Sequence, residues 1–172
     1  MKKQHFFYII VFSLLISCKD EIQTKINKGN FKITMVFPDT VYINEGYDGR
    51  IDYKNDLDTI TTSFDDVKKA RFLEYVFLST KNINYKDDYL KKIAKDTFVA
   101  ETNKIIPLYN IKFDKLGLNY IDGMITDEVM IENGAKDEKG EIMTRIITNE
   151  FRATKGVYVI KKHRPAVRSV PK

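Results

Sequence analysis

The sequence predicts a mainly β chain, an antiparallel β-sandwich with one short helix. Three observations lead there: apolar and polar residues alternate at a period of two, turn signals recur about every 8 to 12 residues, and only one stretch has helical spacing. At 172 residues, 43% hydrophobic and 31% charged, the chain is long enough for a domain with its own core, and its composition is not that of a disordered protein.

The elements follow in order. Phe31, Ile33, Met35 and Phe37 alternate with Lys32, Thr34 and Val36, a strand with one buried face, and Pro38-Asp39-Thr40 breaks it. Val41 to Asn44 and Arg50 to Tyr53 are short strands around Glu45-Gly46-Tyr47-Asp48-Gly49, a turn. Ala70 to Thr80 (ARFLEYVFLST) is rich in aromatic and β-branched residues and suits a central strand, although Leu73 also suits the start of a helical stripe. In Tyr85 to Lys95, Tyr85, Tyr89, Leu90 and Ile93 fall at helical spacing, with Asn84 placed as N-cap, aspartates early and lysines late.

Strands return at Thr97 to Ala100, Tyr109 to Phe113 and Leu118 to Ile131. In the last of these Ile121, Gly123, Ile125, Asp127, Val129 and Ile131 share a face, and Gly123 predicts a bulge or bend. Asn133 to Gly140 reads as a hairpin loop, Ile142 to Thr148 as the return strand, and Gly156 to Ile160 as the closing strand.

The chain begins with a different pattern. Met1-Lys2-Lys3 is followed by an apolar run from Phe6 to Ile16, too short for a bilayer-spanning helix of about 20 residues, and this reads as a secretory leader. Leu15-Ile16-Ser17-Cys18 then resembles the bacterial lipobox. That resemblance implies cleavage before Cys18, diacylglyceryl modification of its thiol, and a lipid anchor in the outer membrane. Lys19-Asp20-Glu21 is similar to the charged run after the acylated cysteine in surface-exposed lipoproteins of the Bacteroidota. The expected organisation is a signal peptide over 1–17, lipidated cysteine and tether over 18–30, a β-sandwich domain over 31–160 and a basic tail over 161–172. Within the domain, PDTVYINEGYDGRIDY resembles the opening of bacterial immunoglobulin-like modules, which implies an immunoglobulin-like sandwich. The Cys and Trp marks of true immunoglobulin domains are absent, since Cys18 is the one cysteine and there is no Trp.

The formal charge of +5 is a matter of the ends. Lys2 and Lys3 lie in the leader, and Lys161, Lys162, Arg164, Arg168 and Lys172 lie in the last twelve positions, so residues 4–160 carry 22 basic against 24 acidic side chains. Nucleic-acid binding, which needs basic residues spread over a face, is not expected. The tail suits anionic headgroups or a partner protein.

Chemistry is restricted further. His5 falls in the leader and His163 in the tail, so the domain has no histidine with which to build His-based metal sites or catalytic triads. Neither GxxxxGK[ST] nor GxGxxG occurs. Carboxylates remain: Asp56 and Asp58, Asp65-Asp66, Asp87-Asp88 and Asp127-Glu128, read mainly as solvated faces and loop caps. Asp127 stands apart because alternation places it on the apolar face; a buried carboxylate there needs a cation, and Arg145 on the return strand is the expected partner in a structural ion pair. Loops holding Asn55, Asp56 and Asp58, or Asp137, Glu138 and Glu141, have oxygen donors but not EF-hand spacing. Tyr42, Tyr47, Tyr53 and Tyr120, in or near turns, suit a carbohydrate or peptide platform as well as core packing.

No catalytic, cofactor or metal-ligating residue is assigned. The expectation is a membrane-anchored, non-enzymatic module whose partner is another envelope protein or a glycan. The alternatives are an exported hydrolase using paired carboxylates and a small surface inhibitor or immunity protein.

Overall fold

A computed structural model describes residues 25–28, 31–61 and 63–162. The described residues form a mainly β fold of two sheets and one α-helix. The strands are β1 (Lys25–Lys28), β2 (Phe31–Val36), β3 (Thr40–Tyr42), β4 (Tyr47–Lys54), β5 (Lys69–Thr80), β6 (Asp96–Val99), β7 (Ile105–Ile111), β8 (Gly117–Lys136) and β9 (Ile142–Ile160); the helix α1 spans Asp87–Ile93. One sheet has the order β1-β2-β4-β7 and the other β3-β9-β8-β5-β6. The pairings are antiparallel except β3 with β9, which is parallel. No helix among the described residues is long and apolar enough to cross a membrane.

Alternation produces the core. Ile33 and Met35 of β2, Ile51 and Tyr53 of β4, and Ile106, Leu108 and Ile111 of β7 form one inner face. Leu73, Tyr75 and Phe77 of β5, Ile121 and Ile125 of β8, and Ala153, Val157 and Val159 of β9 form the other. Tyr75 and Phe77 stack at 5.5 Å, Phe77 stacks on Phe98 at 5.3 Å, and the Phe31 and Phe151 rings join the sheets at 4.2 Å. The stretch ARFLEYVFLST is a strand throughout, between β8 and β6.

Several expectations are corrected. The segment 18–30 is not all tether, because Lys25–Lys28 pairs with β2 and the sheet begins at Lys25. An edge strand is held by backbone hydrogen bonds, which leave no apolar periodicity to read. The helix starts at Asp87 after an N-cap, Lys86, that makes no side-chain capping bond; the Asn84 N–H is instead bonded to the Asn82 side chain. Gly123 makes no bulge, since the β5–β8 and β8–β9 ladders run evenly across it. The irregularity lies between Ile131 and Ala135, where Asn133 has a positive φ. The hairpin turn is shorter than predicted, closing around Asp137–Gly140, and the two strand segments expected after it are one continuous β9.

The β8–β9 hairpin outgrows its sheet. β5 ends its pairing at Lys69 opposite Ile131, beyond which β8 and β9 continue as a two-stranded arm to Lys136 and Ile142.

Candidate functional site

The densest polar constellation is built by strand alternation and one capped turn. Asp127 of β8 and Arg71 of β5 lie on the inner face at the end of the core, and Tyr53 of β4 reaches them from the opposite sheet. Residues Asp56–Thr59 form a 3-10 turn capped by Asn55, whose side chain accepts from the Leu57 N–H at 2.8 Å. That cap places Asn55 and Asp58 over Arg71.

Asp127 is fully buried and its carboxylate is bonded at both oxygens. Arg71 Nε donates to Oδ1 at 2.8 Å and Nη2 to Oδ2 at 2.7 Å, a bidentate pair. Oδ2 also accepts from Asn55 Nδ2 at 2.9 Å and from the Tyr53 hydroxyl at 3.0 Å. The remaining Arg71 donors go to Asp58 Oδ1 at 2.6 Å, the Thr61 carbonyl at 3.2 Å and Asn55 Oδ1 at 3.3 Å. Every donor direction of the guanidinium is therefore used, which is what a buried cation requires. Burial opposes the Arg71 charge, but its hydrogen bonds to Asp127 and Asp58 hold its pKa above the ordinary value.

The ion pair anticipated for Asp127 exists, with a different cation. Arg145 is exposed on the arm opposite Ile131, whereas Asn149 faces Asp127 across the β8–β9 ladder. Arg145 is thus four residues along β9 from Asn149, level with Lys69 at the end of β5. The sequence did carry the signal for Arg71: Arg71, Leu73, Tyr75 and Phe77 alternate, so a cation stands in line with three core residues.

A second network, which sequence reasoning missed, fixes the helix. Asp122 of β8 is fully buried on the outer face, accepting from Arg152 Nε at 3.0 Å, Arg152 Nη2 at 2.7 Å and Thr154 Oγ1 at 2.8 Å. Arg152 also donates to the Ile83 and Tyr85 carbonyls, each at 2.7 Å. The guanidinium ties the segment entering α1 to the sheet, so Leu90 is buried beneath the helix.

An open groove lies beside the first network, lined by Lys32, Tyr53, Lys54, Asp58, Asn103 and Lys104 among others. Lys32 and Lys54 face each other directly across the β2–β4 pair. Asp58, the network acid that reaches this groove, is already bonded to Arg71 and Asn103. The groove offers lysine ammonium groups and two carboxylates, Asp58 and also Asp52, which accepts from Arg50 Nε at 2.9 Å.

Of the tyrosines considered as a platform, Tyr53 is buried, Tyr47 and Tyr120 are half-buried, and Tyr42 is exposed. They do not form one surface. In the loops considered for oxygen-donor sites, Asn55 and Asp58 serve the Arg71 network, and Asp137 caps its own turn by accepting from the Lys139 and Glu141 N–H groups. No group of three or more His, Cys, Asp or Glu side chains gathers around one point among the described residues. Cys18, the leader and the tail from His163 onward lie outside the described residues.

The buried phenols give the fold a directional response to pH. Burial, then the charge of Asp127 and the hydrogen bond to it, push the Tyr53 pKa well above its ordinary value; burial, then the charge of Asp122, does the same for Tyr75. Above about pH 10 the unfolded chain releases these protons while the folded chain keeps them, so stability is retained below that pH and falls as pH rises further. The expected slope reaches about 1.4 kcal/mol per pH unit for each phenol. Urea unfolding between pH 8 and 11 should show the decline, and Tyr75→Phe should make it shallower; equal slopes would remove Tyr75 as a cause.

Set against protein-family models, curated proteins and solved structures, the chain matches none of them, so the role of these residues rests on their own chemistry.

Proposed function

We propose that the chain is a lipoprotein of the outer membrane whose β-sandwich, similar to bacterial immunoglobulin-like modules, is a non-enzymatic binding or assembly module. The observation that carries this reading is Leu15-Ile16-Ser17-Cys18 at the end of a short apolar run, with the first strand beginning only seven residues later at Lys25. Anchoring explains an otherwise solitary thiol in an exported chain. Two or more acyl chains hold a protein stably at a bilayer, whereas one does so marginally.

The non-enzymatic part is supported by how the acids are used. Asp127 and Asp122 each accept hydrogen bonds at both oxygens from an arginine and further donors, which suits them to structure. A carboxyl serving as general acid needs instead an apolar site that keeps its proton. A partner among envelope proteins or glycans is supported by exposed apolar side chains along the β8–β9 hairpin, where Met130 faces Ile146 just before the arm and Ile142 and Met143 stand near its tip.

Metabolic labelling with a fatty-acid analogue tests the anchor. Wild type should carry the label and sediment with membranes, while Cys18→Ala should lose both properties. Membrane retention without Cys18 would overturn the reading. Protease shaving of whole cells then distinguishes the cell surface from the periplasmic face.

A further inference from the structure

The outer face of the five-stranded sheet is covered in its middle by α1, while at the end where β9 finishes no described helix or strand packs over it. There Leu118 of β8 lies directly opposite Tyr158 of β9, and Ile160 lies beside Tyr42 of β3. Alternation turns all four outward while Val41, Val157 and Val159 point into the core. Leu118 and Tyr158 are 49% and 47% exposed, and Ile160 and Tyr42 each 36%, a contiguous apolar and aromatic surface across three strands.

Basic groups border it. Lys161 and Lys162 follow β9 directly, with Lys162 Nζ 2.9 Å from Glu45 and 5.6 Å from the centre of the Tyr42 ring. The sequence continues from there with Arg164, Arg168 and Lys172. Lys81 donates to the Leu116 carbonyl at the same end.

β1 begins toward this end. Lys25 is level with Thr34, and β1 runs antiparallel to β2, so the first residue of β1 is the one nearest the Val36 end. Past Val36 the chain reaches Asp39, whose carbonyl accepts from the Tyr158 N–H. β2 and β9 therefore finish at one end of the sandwich. From Cys18 to Lys25 the chain spans at most about 25 Å.

The arm points the other way. Phe151 packs against Phe31 at the start of β2, and β8 continues eleven residues past Ile125, the partner of Phe151, to Lys136. β9 covers the same length in nine residues, from Phe151 to Ile142, so at about 3.3 Å per residue, with a further three residues between Phe31 and the level of Lys25, the arm tip lies roughly 40 Å from Lys25. A bilayer beyond that tip is out of reach of a tether of about 25 Å.

We propose that the surface of Leu118, Tyr158, Ile160 and Tyr42 rests on the anionic bilayer that holds Cys18, with the β8–β9 arm directed away from it. The proposal rests on the lipid anchor. Aromatic and aliphatic side chains enter the headgroup region while the bordering lysines, Lys81, Lys161 and Lys162, meet its negative charge. Two contacts, lipid and surface, then fix the orientation that one flexible tether leaves free.

The test uses the full acylated chain, purified from membranes and reconstituted in vesicles of phosphatidylethanolamine and phosphatidylglycerol carrying doxyl-labelled lipid. With Cys18 acylated, Leu118→Cys, Lys54→Cys and Ile142→Cys each provide a single thiol for an environment-sensitive fluorophore. A fatty-acid label on the protein together with strong quenching at position 118, and at most a fifth of that quenching at 54 and 142, is the expected result. A labelled protein quenched mainly at 54, mainly at 142 or at none of the three overturns the surface while leaving the anchor in place. An unlabelled protein overturns both.

Discussion

Arg71→Ala is expected to lower the stability of the domain by about 3 to 5 kcal/mol, the cost of leaving a buried carboxylate without its cation. Asp127 would keep Asn55 and the Tyr53 hydroxyl as donors but lose the bidentate pair. Asp58 would lose its cation as well, at lower cost because it borders the groove. Urea unfolding provides the measurement. The double variant Arg71→Met with Asp127→Leu should recover part of the loss, since removing both charges is far less costly than removing one. A single-variant loss under about 1 kcal/mol would show that the pair contributes no more than an exposed one.

Gly123→Ala is expected to cost about 2 to 3 kcal/mol, in the upper range for overpacking a filled core. A methyl group there would lie 2.3 Å from the Val76 carbonyl oxygen and 2.6 Å from Phe77 Cβ, so relief requires β5 to move. Gly140→Ala is the control of opposite character. Nothing lies within 4 Å of its added carbon, but φ is +83°, so its cost of about 1 to 2 kcal/mol is conformational. Thermal unfolding of the two variants separates lack of space from backbone preference. A harmless Gly123→Ala would mean that β5 yields easily at Val76.

These two positions show what the sequence makes legible. Asp127 is readable as buried because its neighbours at two-residue spacing are apolar, a local pattern that any strand with one covered face imposes. Its partner is set by register, and register depends on hairpin length: with the turn at Asp137–Gly140 instead of the longer predicted loop, Asn149 rather than Arg145 comes opposite. Arg71 obeys the same alternation as Asp127, but one cation within ARFLEYVFLST is outweighed by seven apolar or aromatic neighbours. Gly123 is visible as unusual, yet a glycine in a strand signals equally a bulge or the close approach of another backbone, and only the β5 contact distinguishes them. The Asp122–Arg152 network leaves no local trace. It exists because a helix seven residues long crosses the outer face, and where a helix docks is a tertiary matter.

The parallel pairing of β3 with β9 has a kinetic consequence. β3 pairs with no described strand but β9, where Thr40, Val41 and Tyr42 lie opposite Tyr158, Val159 and Ile160, more than a hundred residues on. β9 is also an interior strand, lying between β3 and β8. A chain emerging N-terminus first thus cannot complete this sheet until its final strand is free, and closing so long a loop makes folding slow. On the proposed reading of the chain as exported, that delay keeps it threadable during crossing and leaves the sheet to assemble afterwards.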